Sequence, residues 1–228
     1  QNGSQLNSGE KLWSIGGDMK KFIEENSKHK FFKNIVTLPN KRYTYFNVVA
    51  LISYLEFNGI RDVSYRGLES FLKDNKSFKN KGLEFKEKIK KIKLVLDFLV
   101  SICPQKFDAF KNRPSIVSVY LLISNLLSKS NIQNKKIKLR NFIKEFYEKL
   151  ESTISKGIKA KDALMVNYQG FTTQGADKQK AIRIREEILL KRLYDFDPSF
   201  YKILNPIKSP IERFNDIYSI LEKKFSTS

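Results

Sequence analysis

One run of residues constrains the fold more than any other feature: positions 115–128 read SIVSVYLLISNLLS and are apolar on nearly every side of a helix. A helix of this kind has to be buried among other elements. Proline is favoured in the first turn of a helix, and Pro114 stands at that place. The run therefore predicts a central helix that begins near Pro114 and is surrounded by others.

Helical spacing of apolar residues continues along most of the chain, whereas no segment keeps the alternation typical of a half-buried strand. We therefore predict an all-α fold, a multi-helix globular bundle of roughly nine to ten helices. Asp18 is expected to cap the second of them. The predicted helices and helical turns cover residues 9–15, 18–32, 43–57, 64–73, 83–103, 115–128, 138–155, 162–167, 177–194, 197–198 and 209–225.

The chain has 228 residues, enough to bury a full core as one domain or as two packed helical halves. We predict a junction with a first short helix over residues 1–17 and a helical domain over 18–228. If there are two halves, their boundary is expected near 104–114, around Pro104. Residues 1–9 are polar and rich in turn formers, which is typical of a link from an upstream segment. A processed terminus or an expression remnant is the alternative.

The balance of charges is strongly basic. The chain has 43 Lys and Arg residues against 24 Asp and Glu residues, a formal net charge of +19. Such a field attracts polyanions and speeds their association. The alternative is an AT-rich coding sequence, since that bias enriches lysine. Arginine is the better guide to function because its planar fork binds phosphate groups through two hydrogen bonds.

Basic residues fall into three clusters, at 79–93, 129–144 and 178–192, and each could instead be an ordinary solvated helix face. Three clusters in one basic chain favour nucleic acid as the partner, with DNA as the expected polyanion. From these clusters we select as candidate contacts Lys88, Lys91, Lys136, Lys138, Arg140, Arg183 and Arg185.

The most specific candidate is an anion site in which Thr172 and Thr173 act together with Arg183 or Arg185. Threonine hydroxyls, loop amides and a helix N-terminus can all donate hydrogen bonds to phosphate. Two residues apart on a helix, the arginines point about 200° away from each other, so at most one can face the loop. The alternative is a structural ion pair, for example with Asp177 or Glu186.

Two further arginines are candidates with equally plain structural alternatives. Arg113 precedes the predicted central helix, where it either binds an anion or ties a loop to a carboxylate; we favour the second. Arg42 stands beside Tyr43 and Tyr45, a combination that suits stacking and charge contacts with nucleic acid. The spacing of the two tyrosines instead favours a position in the core.

Motifs of enzymes and metal sites are missing. There is no phosphate-binding glycine loop and no nucleophile elbow, and one histidine, His29, is too few for a histidine-dependent site. A single cysteine, Cys103, excludes an internal disulfide and a thiolate zinc cluster. We expect no catalytic residue, no metal and no cofactor. No apolar segment reaches the roughly 20 residues that span a bilayer, so we predict a cytoplasmic protein without membrane contact.

Several short motifs carry a resemblance to a known family. They are Gln1-Asn2-Gly3-x-x-Leu6-Asn7-x-Gly9-Glu10-Lys11, residues 22–32, Lys41-Arg42-Tyr43, residues 68–72, Asn112-Arg113-Pro114, Phe171-Thr172-Thr173 and the pair Arg183/Arg185. Together they resemble the helical C-terminal region of the bacterial ParB/sulfiredoxin-like family, which includes GmrSD-type modification-dependent restriction enzymes and phage-defence proteins. The family's Asp-Gly-Gln-Gln-Arg motif and the residues of an HNH nuclease are both absent here.

The resemblance implies a helical domain of a DNA-targeting defence or restriction protein that works with an upstream ParB-like, nucleotide-binding domain. Combined with the charge, it predicts a domain that binds nucleic acid without sequence specificity and supports that upstream domain. The alternative is a protein-interaction scaffold with no role in nucleic-acid binding. The oligomeric state is left open.

Overall fold

The computed structural model describes residues 8–103, 105–159 and 161–205, and all regular structure in these ranges is helical. The all-α prediction is confirmed. The predicted helix at 209–225 lies outside the described residues. The α-helices of the described ranges are α1 (Ser8–Trp13), α2 (Asp18–Ser27), α3 (Thr44–Asn58), α4 (Tyr65–Asp74), α5 (Leu83–Ile102), α6 (Arg113–Lys129), α7 (Lys136–Ser155), α8 (Ala163–Gly170), α9 (Gln179–Phe196) and α10 (Ser199–Leu204).

Side chains cap three of the helices at places where short polar residues precede an apolar run. Ser64 Oγ accepts the Gly67 N–H at 3.1 Å, and Asn112 Oδ1 accepts the Ser115 N–H at 2.9 Å. Asp162 Oδ1 accepts the first-turn N–H of α8 at 3.2 Å. Each cap satisfies a backbone donor that the helix itself cannot pair, which fixes where α4, α6 and α8 begin.

The start of α2 differs from the prediction. Gly17 occupies the cap position and Asp18 is the first helical residue, so the prediction that Asp18 caps this helix is wrong. The Asp18 carboxylate instead accepts the Phe78 N–H at 2.9 Å, while its own N–H donates to the Lys76 carbonyl at 2.7 Å. A contact 60 residues away in the chain has replaced the local one.

The segment predicted as one helix over 18–32 is divided in two. Helix α2 ends at Ser27, and a short π-helix follows at Phe31–Ile35. The wider turn directs Phe31, Phe32 and Ile35 into the core together. Phe31 meets Phe110 edge to face, with ring centroids 5.0 Å apart, so the π-helix brings the 105–112 segment against the N-terminal helices.

Helix α6 is the centre of the molecule, as its sequence predicted. It contacts α3 and α5 from the N-terminal part of the chain, and α9 and α10 from the C-terminal part. Its buried residues occupy most of its circumference, and one hydrophobic cluster extends from Leu12 to Phe200. The boundary near 104–114 stays a prediction; the described part of that segment packs Ala109 and Phe110 into the same cluster.

Candidate nucleic-acid interface

The first basic cluster turns its two candidate lysines toward the protein. Lys88 Nζ lies 2.7 Å from Glu84 Oε1 and also donates to the Phe57 carbonyl at 3.3 Å. Lys91 Nζ lies 2.5 Å from Glu56 Oε1. Both ammonium groups therefore already have partners on α3 or α5, which leaves them less available to a phosphate.

Glu56 is a carboxylate that sequence reasoning missed. Its side chain is 7% exposed, and Oε2 accepts hydrogen bonds from Tyr120 Oη at 3.0 Å and from Ser124 Oγ at 2.8 Å. Burial, with Glu56 adding to it, raises the pKa of the Tyr120 hydroxyl well above its ordinary value. The carboxylate joins α3 to the central helix α6, and Lys91 neutralises it. Lys91 is thus part of a structural network.

Arg185 is the largest buried polar side chain of the described residues, with 1% exposure. Its Nη1 donates to the Phe171 carbonyl at 2.5 Å and to the Ala176 carbonyl at 2.8 Å, and its Nε donates to Ser118 Oγ at 3.0 Å. Burial lowers the pKa of the guanidinium. One side chain therefore joins α9 to α6 and holds both ends of the 171–176 loop.

The two threonines of that loop are also engaged by protein atoms. Thr172 Oγ1 donates to the Gln169 carbonyl at 2.7 Å, and Thr173 Oγ1 donates to the Gly170 carbonyl at 2.9 Å. Both hydroxyls are therefore engaged at the C-terminal end of α8, and Thr173 is nevertheless exposed. As the geometry required, only one of the two arginines faces the loop: Arg185 does, and Arg183 is exposed on another side of α9. The four residues of the predicted anion site are not brought together.

Arg113 takes the structural alternative. Its Nη2 lies 2.6 Å from Asp177 Oδ2, so the ion pair ties the start of α6 to the segment before α9. Asp177 also accepts the Val63 N–H at 2.9 Å through its backbone carbonyl. Asp177, one of the two carboxylates named as alternative partners for Arg183 or Arg185, is thus the partner of Arg113.

Arg42 and its two tyrosines are divided between the surface and the interior. Arg42 forms two hydrogen bonds to Glu10, at 2.9 and 2.8 Å. Tyr45 is half-buried and its hydroxyl donates to the Leu38 carbonyl at 2.8 Å. Tyr43, by contrast, is exposed, so its expected place in the core is wrong. The reason is its backbone: at φ 64° it is turned away from the buried side of α3.

Lys138 on α7 forms an ion pair with Asp197, the residue that follows α9. The Lys138 Nζ lies 2.6 Å from Asp197 Oδ2. Asp197 forms no second ion pair among the described residues. The hydrogen bond from Lys138, together with those from Ser199, holds the pKa of the Asp197 carboxyl far below its usual range. This pair fastens α7 to the start of α10.

Three candidates, Lys136, Arg140 and Arg183, form no ion pair with another described residue, and the first two share one face of α7. Lys144 follows Arg140 four residues later on the same face. We call Lys136, Arg140 and Lys144 the α7 basic row. Adjacent charges of the row are about 6 Å apart along the helix axis, from the rise of 1.5 Å per residue.

The row runs beside the C-terminal end of α5 and the segment that follows it. Lys136 Nζ lies 5.8 Å from the Phe98 ring centroid, and the charge of Arg140 acts on Cys103. Lys144 lines a cavity of about 270 Å³, together with Lys106, a residue that sequence reasoning did not select. The row and Lys106 thus present four cations along one seam of the molecule.

Among the described residues, the carboxylates that pair with the row or line its cavity lie at the Lys144 end. Lys144 Nζ lies 3.7 Å from Glu148 Oε1, and both side chains are exposed. Exposed pairs at this spacing contribute only about 0.3–0.5 kcal/mol, so a phosphate can displace Glu148. Asp108 and Glu151 also line the cavity, and Lys111 pairs with Glu151. The positive end of the row is therefore the one that Lys136 and Arg140 form.

Cys103 lies beneath the row and provides a chemical probe of it. Burial raises the pKa of its thiol to about 12 from 9.0, against a smaller lowering by Arg140. Three pKa units lower the thiolate fraction about a thousandfold near neutral pH. We therefore expect a thiol–disulfide reagent at pH 8 to modify the folded protein at least about 100-fold more slowly than the urea-unfolded protein.

The absorbance of the released thiolate would measure this rate, with Cys103→Ser as the blank. Modification of the folded protein at the unfolded rate, at urea concentrations far below the unfolding transition, would contradict the burial of this thiol. Protection that persists up to the transition would instead support it.

Neither a metal centre nor a membrane span is found in the described ranges. No three His, Cys, Asp or Glu side chains there are grouped so that they could hold a metal ion. None of the helices from α1 to α10 combines the length and the apolar character that crossing a bilayer requires.

Comparison with protein-family models finds no match for this sequence, and comparisons with curated proteins and with solved structures find none either.

Proposed function

We propose that this chain is a basic helical domain that binds nucleic acid through the α7 basic row. The observation that carries the proposal is the pairing pattern: most selected cations have protein partners, whereas Lys136 and Arg140 form no ion pair with another described residue and lie next to each other on one helix face. Arg183 also forms no such pair, but the other selected arginine of its helix, Arg185, is buried. In a chain with a net charge of +19, a row in which two cations lack ion pairs and the third has only an exposed one attracts a polyanion.

The spacing of the row supports contact with a phosphate backbone. One strand of a duplex has a phosphate about every 3.4 Å along its axis, so cations about 6 Å apart meet roughly every second one. Arg140 can bind a phosphate through two parallel hydrogen bonds, whereas the two lysines act as point charges. Contacts of this kind position a protein on nucleic acid and carry no sequence information.

A biological setting follows only from the family resemblance. We propose a cytoplasmic DNA-targeting protein of the defence or restriction type, in which this domain supports an upstream ParB-like, nucleotide-binding domain. The motifs behind this proposal include Lys41-Arg42-Tyr43 and Asn112-Arg113-Pro114. Within the described residues, the arginines of both motifs have structural partners, Glu10 and Asp177.

Replacing all three residues of the α7 basic row with glutamine is expected to lower the affinity for duplex DNA. It should also make that affinity less dependent on salt concentration. Each lost phosphate contact lowers the slope of log affinity against log salt by about 0.9. For three contacts, the loss of affinity between 50 and 200 mM salt should shrink by about 40-fold. Fluorescence anisotropy with a labelled duplex at both salt concentrations would measure this.

The matched control removes three exposed lysines outside the three basic clusters, as Lys21→Gln, Lys33→Gln and Lys76→Gln together. It changes the net charge by the same amount, so a general charge effect would weaken both variants equally. Equal weakening, or no DNA binding by the folded parent at 50 mM salt, would contradict the proposed site. The second outcome would favour the scaffold alternative, in which the charge is incidental.

A further inference from the structure

Two aromatic rings lie exposed side by side where α1 meets the start of α3. Trp13 and Tyr43 are stacked, with ring centroids 5.0 Å apart and planes 22° from parallel. They are 36% and 41% exposed. Lys20 Nζ lies 4.4 Å from the centroid of the Trp13 ring. The three side chains form a column in which an ammonium group, an indole and a phenol follow one another.

The outer end of this column is Tyr43. Among the described residues, its ring stacks only on Trp13, whereas Trp13 has Tyr43 as one neighbour and Lys20 as another. A ring that buries one face and leaves its other side to solvent is the geometry on which a further flat group can stack. The column is therefore complete at the lysine end and extendable at the tyrosine end.

Backbone strain places Tyr43 in this position. Arg42 has φ 50° and Tyr43 has φ 64°, and they are the only described non-glycine residues with positive φ. A residue held in this left-handed region costs about 1–3 kcal/mol. The two bonds from Arg42 to Glu10, and the bond from Thr44 Oγ1 to the Lys41 carbonyl at 2.5 Å, hold the turn in place.

Strain of this kind persists where the surrounding structure enforces it, and it is concentrated at binding sites. An ordinary helix cap has extended backbone, as Ser64 and Asn112 do here. Tyr43 occupies the cap position of α3 without that geometry. As a result of this strained backbone, the Tyr43 ring contacts Trp13 and solvent and is not part of the core.

The geometry points to a stacking site for an unpaired nucleobase on the outer face of Tyr43. This inference rests on the proposed nucleic-acid function and specifies its ligand: a single-stranded or locally unpaired strand. Bases inside a duplex are already stacked and cannot reach an exposed ring. Lys41, which is exposed and stands two residues before Tyr43, supplies a cation for an adjoining phosphate, and the net charge of +19 adds to the attraction. An apolar peptide would gain nothing from these charges.

The column also contains its own reporter, because Trp13 is the only tryptophan of the chain. Two probes of equal length and charge separate bases from phosphates: oligothymidylate and the corresponding abasic strand. We expect oligothymidylate to change the tryptophan fluorescence and to bind about 5- to 150-fold more tightly than the abasic strand, since one stacked base contributes about 1–3 kcal/mol. Tyr43→Ala should abolish this preference, and Tyr43→Phe should retain it.

The outcomes distinguish this site from the α7 basic row. Substituting the row should weaken both strands equally, whereas Tyr43→Ala should weaken only the strand that has bases. Equal binding of the two strands by the parent would overturn the stacking site and leave the row untouched, and this comparison requires no variant. If neither strand binds while a duplex does, the stacking site fails and the row stands; if no nucleic acid binds, both proposals fail. Melting curves verify that Tyr43→Ala, which keeps a Cβ and hence the same strain, is folded.

Discussion

Arg185→Met is expected to destabilise the protein by about 3–5 kcal/mol, the largest loss from any single substitution proposed here. Methionine has nearly the length of arginine and fills the space, but it has no donor for the Phe171 and Ala176 carbonyls or for Ser118. Buried polar atoms left without a partner cost about 1–3 kcal/mol each. Urea unfolding followed by circular dichroism would measure the change.

Arg183→Met is the matched control, since Arg183 lies on the same helix but is exposed. It should change stability by less than about 0.5 kcal/mol. Arg185→Lys should fall between the two, because a lysine keeps the charge but cannot reach three acceptors at once. Normal stability of Arg185→Met together with lost DNA binding would contradict the structural role and restore the anion site predicted from sequence.

Glu56→Ala is expected to cost about 2–4 kcal/mol. The substitution removes the acceptor for Tyr120 and Ser124 on the central helix and leaves Lys91 without its partner. Losing the carboxylate also opens space between α3 and α6, which adds a packing term. Thermal and urea unfolding of the variant would both show the change.

Glu84→Ala provides the comparison for Glu56. Glu84 also pairs with a lysine on α5, but it is exposed and holds no hydroxyl group. Its loss should cost less than about 1 kcal/mol. Glu56→Gln should be intermediate, because an amide can still accept from the hydroxyls while Lys91 loses its counter-charge. Equal effects of the two alanine variants would show that the Glu56 network contributes nothing beyond an ordinary surface pair.

The fold was largely predictable because it depends on patterns within single helices. The apolar run at 115–128 by itself predicted a buried, central helix, and Pro114 indicated where that helix begins. Predictions from local sequence were wrong where a residue distant in the chain took the place of the local partner. Asp18 is a good helix cap by type, but the Phe78 N–H, 60 residues along the chain, takes its carboxylate.

The candidate site was less predictable, because the sequence does not show which cations are neutralised. Lys91 and Lys136 are both lysines of basic clusters, yet one is paired with Glu56 and the other with no described carboxylate. Glu56 itself stands in an apolar helix with no nearby sign of its partners. The position of Tyr43 was equally hidden, since positive φ is typical of glycine and asparagine and neither stands there.

Helix α6 couples the unfolding of the N-terminal helices to that of the C-terminal helices. Glu56 reaches it from α3, and Arg185 reaches it from α9, at Ser124 and Ser118 within two turns of each other. If either group of helices separates from α6, apolar surface of α6 becomes exposed to water, and the packing of the other group against α6 is weakened. The protein should therefore melt as one cooperative unit, with a single heat-absorption peak. A nucleobase held at Tyr43 would, through that unit, protect the amide hydrogens of α9 from exchange.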